Sequence, residues 1–175
     1  MNNKKPTITY IKNGQEKTVE INLLNSNKIK KEIFNLNEWG DLVLEKDIEY
    51  IHFQNIDFPL FVNSKEEFCG IKNNCNTICI LENCDLKNKL NNEVGKIELT
   101  GGTFQLININ TNEFKAEISI CSYQETLIDN TNLTSNNQNL SLDNFYSFQK
   151  IDIKDNNTIK KMCLSTEEIS LSGKF

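Results

Sequence analysis

The chain has 175 residues, enough for one domain with a real core, and at 38% hydrophobic and 25% charged residues its composition is globular rather than disordered. The formal net charge is −5 and all 19 basic residues are Lys. An acidic chain without the bidentate guanidinium fork is a poor match for phosphate backbones, so nucleic acid is not an expected partner.

Residues Met1 to Tyr10 are polar, with Lys4 and Lys5 and no following apolar stretch of the kind a secretory leader carries. No apolar run approaches membrane-spanning length. The expectation is a cytoplasmic protein with no membrane partner.

Residues 7–23 predict a β-hairpin. Thr7-Ile8-Thr9-Tyr10-Ile11 and Thr18-Val19-Glu20-Ile21-Asn22-Leu23 flank Asn13-Gly14, the pair that tolerates positive φ at both central positions of a type I′ turn. A two-residue loop sets Ile8 opposite Val19, with Ile21 and Leu23 extending that face. Residues 26–36 then read as a short amphipathic helix. Ser26 is the expected N-cap, and Ile29, Ile33 and Leu36 recur at helical spacing. A lone helix ahead of many strands suits an end cap over an otherwise unpaired sheet edge.

From residue 41 the apolar period changes to two. Apolar-x-apolar pairs recur at Leu42/Leu44, Ile51/Phe53, Cys79/Leu81, Ile97/Leu99, Ile118/Ile120, Leu140/Leu142 and Met162/Leu164. The last five begin 18, 21, 22 and 22 residues apart, close to the repeat of one turn of a β-helix. A second apolar beat follows at Leu86, Leu106, Leu127, Phe148 and Ile169. The stretch Ile51-His-Phe-Gln-Asn-Ile-Asp-Phe58 also aligns with Cys79-Ile-Leu-Glu-Asn-Cys-Asp-Leu86.

The expected fold is therefore all-β: a parallel β-solenoid (β-helix) over 41–175, packed as one domain with an N-terminal β-hairpin and short capping helix in 1–40. A β-sandwich or meander is the alternative, since sandwiches also place short strands between regular turn signals. Asn makes up about one residue in six. Asn accepts left-handed backbone and so suits many tight corners, although AT-rich coding produces the same excess without a structural cause.

No motif spells out an enzyme. Cys69, Cys75, Cys79 and Cys84 cluster, but no two form Cys-x-x-Cys; Cys79 and Cys84 fall where equivalent stretches carry apolar residues, so they read as core thiols and no metal is expected. The single His, His52, alternates with Ile51 and Phe53 and should face outward without a nucleophile beside it. Gly101-Gly102 lacks the rest of a phosphate loop and reads as a corner or bulge. No cofactor is expected.

Asp57 and Asp85 are the one pair of carboxylates with a reason to meet, because the internal alignment superposes them; they are the candidate acids of an alternative reading, a carbohydrate-active β-helix enzyme. The favoured reading is a non-catalytic protein-binding or scaffold module, of the kind that neutralises a basic partner. Tyr123, Phe145 and Tyr146 are its candidate binding residues, since neighbouring positions in a strand point opposite ways and interfaces are rich in aromatics. The segment from Met162 to Leu171 shows no cap, so a homodimer through that C-terminal edge is also expected.

The pieces Cys84-Asp85-Leu86-Lys87-Asn88 and Thr131-Asn132-Leu133-Thr134-Ser135 look like pentapeptide-repeat units. Such units run in tandem, and here they stand alone, so the resemblance implies nothing further.

Overall fold

A computed structural model of the chain describes residues 4–22, 24–58, 68–86, 95–109, 116–131, 143–147, 149–154 and 162–172. Within those, the side chains of 95–96, 116–117, 143–145 and 162–164 fall outside the description. The described elements are strands apart from one short helix. They open with β1 (Thr7–Lys12), β2 (Gln15–Glu20), α1 (Ser26–Glu32) and β3 (Phe34–Leu36). There follow β4 (Asp41–Leu44), β5 (Ile48–Gln54), β6 (Gly70–Lys72), β7 (Ile78–Glu82), β8 (Gly95–Gly101) and β9 (Thr103–Ile107). The series continues with β10 (Ala116–Ser122), β11 (Glu125–Asp129), β12 (Asp143–Ser147), β13 (Lys150–Ile153), β14 (Met162–Ser165) and β15 (Glu168–Leu171).

These strands form two mixed sheets. Sheet A has the order β15-β13-β11-β9-β7-β5-β1-β2, and sheet B the order β14-β12-β10-β8-β6-β4-β3. From β4 onward successive strands alternate between the sheets, and from β6 onward each pairs in parallel with the strand two places earlier. The N-terminal strands pair antiparallel: β1 on β2 and on β5, β3 on β4.

The parallel register stacks like on like. In sheet A one column runs Ile51, Cys79, Phe104, Thr126, Ile151, Ile169, and a second runs Phe53, Leu81, Leu106, Ile128, Ile153, Leu171. In sheet B, Leu42, Ile71, Leu99 and Ile120 form a third. All but Ile169 and Leu171 are essentially inaccessible. Alternation puts the intervening residues outside, which is why these segments read as period two. Phe53, Phe58 and Phe68 add an aromatic cluster to the core, with ring centroids 5.1 Å (Phe53–Phe58) and 5.0 Å (Phe58–Phe68) apart. Each such buried ring contributes roughly 1.5–3 kcal/mol by leaving water.

The hairpin is as expected. Ile8 pairs with Val19, and Asn13 and Gly14 take φ 52° and 74°. Ile21 is buried just beyond β2, and Leu23 lies outside the described residues. The helix needs two corrections. Its N-cap is Asn25 rather than Ser26, and makes no capping hydrogen bond because its side chain is engaged in the loop, accepting from the Asn22 N–H (2.9 Å) and donating to the Glu20 carbonyl (2.6 Å). It also ends at Glu32, not at residue 36. Ile29 and Ile33 are buried as the spacing requires, but Phe34–Leu36 is a strand, with Phe34 opposite Leu44 and Leu36 opposite Leu42. Pairing along the edge of β4 and complete burial of Phe34 outweigh a weak local helix preference.

The regular step of about 21 residues holds from Ile97 to Ile118, which are register partners, but needs correcting elsewhere. Cys79/Leu81 and Ile97/Leu99 belong to different sheets, so the interval of 18 between them is not a repeat. Along sheet A the true step is 28 from Ile51 to Cys79, 25 from Cys79 to Phe104 and 22 from Phe104 to Thr126. The second beat holds at Leu86 and Leu106, both fully buried, and fails at Leu127, which faces outward between buried Thr126 and Ile128. Ile169 is 48% exposed on the last strand of its sheet. Leu140, Leu142 and Phe148 lie outside the described residues, as do the side chains of Met162 and Leu164.

Candidate functional site

Both sheets turn their alternate residues outward, and it is there that chemistry has to be sought. On sheet B, Val43, Lys72, Thr100, Cys121 and Tyr146 follow one another across successive strands in one outward column. Tyr123 follows Cys121 by two residues, in the turn that leads from β10 to β11, where its N–H donates to the Gly101 carbonyl at 2.6 Å. Because Cys121 is the register partner of Tyr146, the two tyrosines come from neighbouring strands at one end of this face. They are 46% and 40% exposed, so both rings offer most of one side to solvent. Phe145 is in backbone register with Ile120 and Leu164; its side chain lies outside the description.

A third exposed aromatic stands elsewhere. Trp39 is 67% exposed on the turn that precedes β4. That turn is braced from inside: Asn37 Oδ1 accepts the N–H groups of Trp39 (3.0 Å) and Asp41 (2.9 Å), and Asn37 Nδ2 donates to Asp41 Oδ2 (3.0 Å). The nearly buried Asp41 carboxylate also receives Lys72 Nζ at 2.8 Å, a bond that holds the Lys72 ammonium above its ordinary pKa. Sequence reasoning missed Trp39. The available signal was a lone Trp in a polar Asn37-Glu-Trp-Gly40 turn, where no apolar period claims it.

Asp57 and Asp85 do meet. They form a parallel bridge, with the Phe58 N–H donating to the Asp85 carbonyl and the Asp85 N–H to the Ile56 carbonyl, both at 2.9 Å. Their backbones are thus about 4.8 Å apart, the spacing of adjacent strands. The flanking residues Ile56, Phe58, Cys84 and Leu86 are buried. Asp57 is exposed and Asp85 half-buried. Neither lines either of two clefts on the described surface. One, of about 550 Å³, lies between Lys46–Glu49 and Asn74–Thr77. The other, of about 160 Å³, lies on the outer face of sheet A around Gln105, Leu127 and Asp152.

His52 faces outward on sheet A. Its Nε2 is 2.9 Å from Glu82 Oε2, and Gln54 Nε2 donates to the same oxygen at 3.1 Å. This is a polar cross-strand contact, with no nucleophilic side chain among the partners given by the structure. The cysteines part company as well. Cys79 and Cys84 are core residues; burial raises the Cys79 thiol strongly and pushes Cys84 up to about 12, whereas Cys75 is exposed. Among the described residues no three His, Cys, Asp or Glu side chains converge as metal ligands do.

Gly101-Gly102 is the corner between β8 and β9. A Cβ on Gly102 would lie 2.5 Å from the Thr77 carbonyl oxygen, and the Gly102 N–H donates to Asn73 Oδ1 at 3.0 Å. The glycines serve close backbone approach between neighbouring corners.

Comparison of the chain with known proteins finds no matching family model, no matching curated protein and no matching solved structure.

Proposed function

We propose that the two parallel ladders are successive turns of one β-solenoid over residues 41–175, closed at one end by residues 1–40 and packed with them as one domain, and that this rod is a non-catalytic protein-binding module. The observation that carries the binding reading is the exposed pair Tyr123, in the turn just after β10, and Tyr146, on the adjoining strand β12. Rings fixed to hydrogen-bonded backbone lose little freedom when a partner covers them, and Tyr and Trp dominate interface energetics. Trp39, on its braced turn, is a further anchor of the same kind.

The net charge of −5 favours a basic protein partner, such as an enzyme or toxin that this chain holds inactive, over nucleic acid. Among the described residues no helix is long and apolar enough to cross a membrane. Cys69, Cys75, Cys79, Cys84 and Cys121 are all free, which supports a reducing, cytoplasmic setting.

The test is capture from lysate of the source cells by the immobilised chain and by a Tyr123→Ala/Tyr146→Ala variant of equal thermal stability. A protein retained in stoichiometric amount by the parent and lost from the variant supports the reading. Equal capture by both removes the tyrosines from it, and the same comparison with Trp39→Ala locates the contact.

The stacked Asp57–Asp85 bridge favours a second reading, a carbohydrate-active enzyme. Paired carboxyls about 5–5.5 Å apart serve retaining glycosidases. On this reading the parent releases reducing sugar from one member of a polysaccharide panel, and both Asp57→Asn and Asp85→Asn abolish that release. A panel without turnover ends it.

A further inference from the structure

The last strand of sheet A is open on one side. Among the described residues β15 pairs only with β13, in parallel. The Glu168 N–H donates to the Gln149 carbonyl at 3.2 Å and the Ser172 N–H to the Ile153 carbonyl at 2.9 Å, so even-numbered peptide groups point toward β13. Peptide groups alternate along a strand, and those of Ile169 and Leu171 therefore point to the open edge. The same two residues continue the inward columns: Ile169 stands over Ile151 and Leu171 over Ile153. Ile151 and Ile153 are 0% exposed, while Ile169 and Leu171 are 48% and 47% exposed. Whatever covers this edge must be an extended strand that also presents apolar side chains to those columns.

We propose that the occupant is β15 of a second copy of the chain, joined antiparallel about a two-fold axis through Ser170. In that register Ile169 lies opposite the partner's Leu171, and Leu171 opposite the partner's Ile169. Their edge-facing peptide groups then exchange hydrogen bonds in reciprocal pairs, and their side chains cover one another. Glu168 falls opposite the partner's Ser172, so no two glutamates are opposed. The strand at the far edge of sheet A fits less well. β2 carries Glu16, Lys17 and Glu20, is exposed along nearly its whole length, and would build an open head-to-tail filament. Pairing of β15 with itself closes after two copies.

This inference does not depend on the tyrosine surface, and its test separates the two. Sedimentation equilibrium of the chain should show the mass doubling with concentration. Ser170 sits on the axis in a non-hydrogen-bonded pair, where Cα atoms are about 4.5 Å apart and a disulfide fits. In a Cys75→Ser/Cys121→Ser background, Ser170→Cys should give a covalent dimer on mild oxidation and Ser172→Cys should not. Ile169→Lys/Leu171→Lys should be a monomer with the parent's circular dichroism and with capture through Tyr123 and Tyr146 unchanged. A parent that stays monomeric at every concentration overturns the proposal. So does a dimer that survives both lysines, or a Ser172→Cys variant that cross-links as readily as Ser170→Cys.

Discussion

Asn130 stands directly over Asn108, its Nδ2 donating to the Asn108 side-chain oxygen at 2.5 Å, and both residues occupy left-handed backbone with φ 44° and 54°. Asn55 and Asn83 take the same conformation at the equivalent corners, at 56° and 51°. Each turns the next residue into the core, placing Ile56, Cys84, Ile109 and Thr131 inside. The N–H groups of Asn55, Asn83 and Asn108 donate to the neighbouring strand's Glu82, Ile107 and Asp129 at 3.0–3.1 Å. Left-handed backbone costs most other residues about 1–2 kcal/mol. Asn108→Ala and Asn130→Ala should each destabilise the protein by about that much, and the Gly variants by less. The double Ala variant should cost less than the sum, because the two side chains share one bond. Urea midpoints at constant slope measure this, and an Ala variant as stable as the parent contradicts it.

A polar knot interrupts the apolar interior. Ser122, Thr126 and Ser147 are 0–1% exposed and bonded in a triangle, with separations of 3.1, 2.6 and 2.7 Å. Removing one hydroxyl leaves its neighbours short of a partner, so Ser147→Ala or Thr126→Val should cost about 1–3 kcal/mol. Replacing all three with Ala, Val and Ala should cost less than the single effects combined. A strictly additive result in chemical denaturation would show that the three do not act as a unit.

Glu32 ties the helix to the hairpin. Its Oε1 accepts from Tyr10 Oη and Lys17 Nζ, both at 2.9 Å, and its backbone carbonyl accepts from Lys12 Nζ at 2.9 Å. The hydrogen bond from Lys17 and then that from Tyr10 hold the carboxyl below its ordinary value of 4.5. A lowered folded-state pKa adds stability that is complete above the unfolded value and is lost as pH falls through the folded one. The difference in melting temperature between parent and Glu32→Gln should therefore shrink as pH drops below about 4.5. A difference independent of pH would assign the acid limb to another group.

Gly102 is irreplaceable for reasons of space. An added Cβ would meet backbone of Cys75 and Thr77 at 2.5–2.8 Å, and Thr77 is fixed by accepting the Thr103 N–H at 2.9 Å. Gly102→Ala should cost about 1–3 kcal/mol by overpacking. Gly14, with nothing within 4 Å of its Cβ position but φ 74°, should pay only the backbone strain of about 1–2 kcal/mol as Ala. Thermal melts compare the two.

Thiol reactivity should divide by burial. Cys75 should react with a disulfide reagent in the native protein, whereas Cys79 and Cys84, buried and held protonated, should react only after unfolding. Peptide mapping of the labelled native chain reads this directly, and early label on Cys79 would mean that β7 opens locally.

What the order of residues determined by itself was local: the Asn13-Gly14 turn, the alternation that sends Ile51 and Phe53 inward and His52 outward, and the superposition of Asn55-Ile-Asp57 on Asn83-Cys-Asp85. Each depends on backbone conformation or on a period within a few residues. Tertiary structure decided which strands are neighbours. Only stacking assigns Cys79/Leu81 to one sheet and Ile97/Leu99 to the other, admits Thr126 to the interior beside two serines while Leu127 faces out, and makes Phe34 a strand. Tyr123 and Tyr146 were legible as surface candidates through alternation, but their adjacency rests on a pairing between residues far apart in the chain. Trp39 left only the signal of a lone Trp in a polar turn; its exposure follows from Asn37 and Asp41 closing that turn beneath it. A pattern of polarity says which way a side chain points; what it points at depends on register, which one residue of slip would invert.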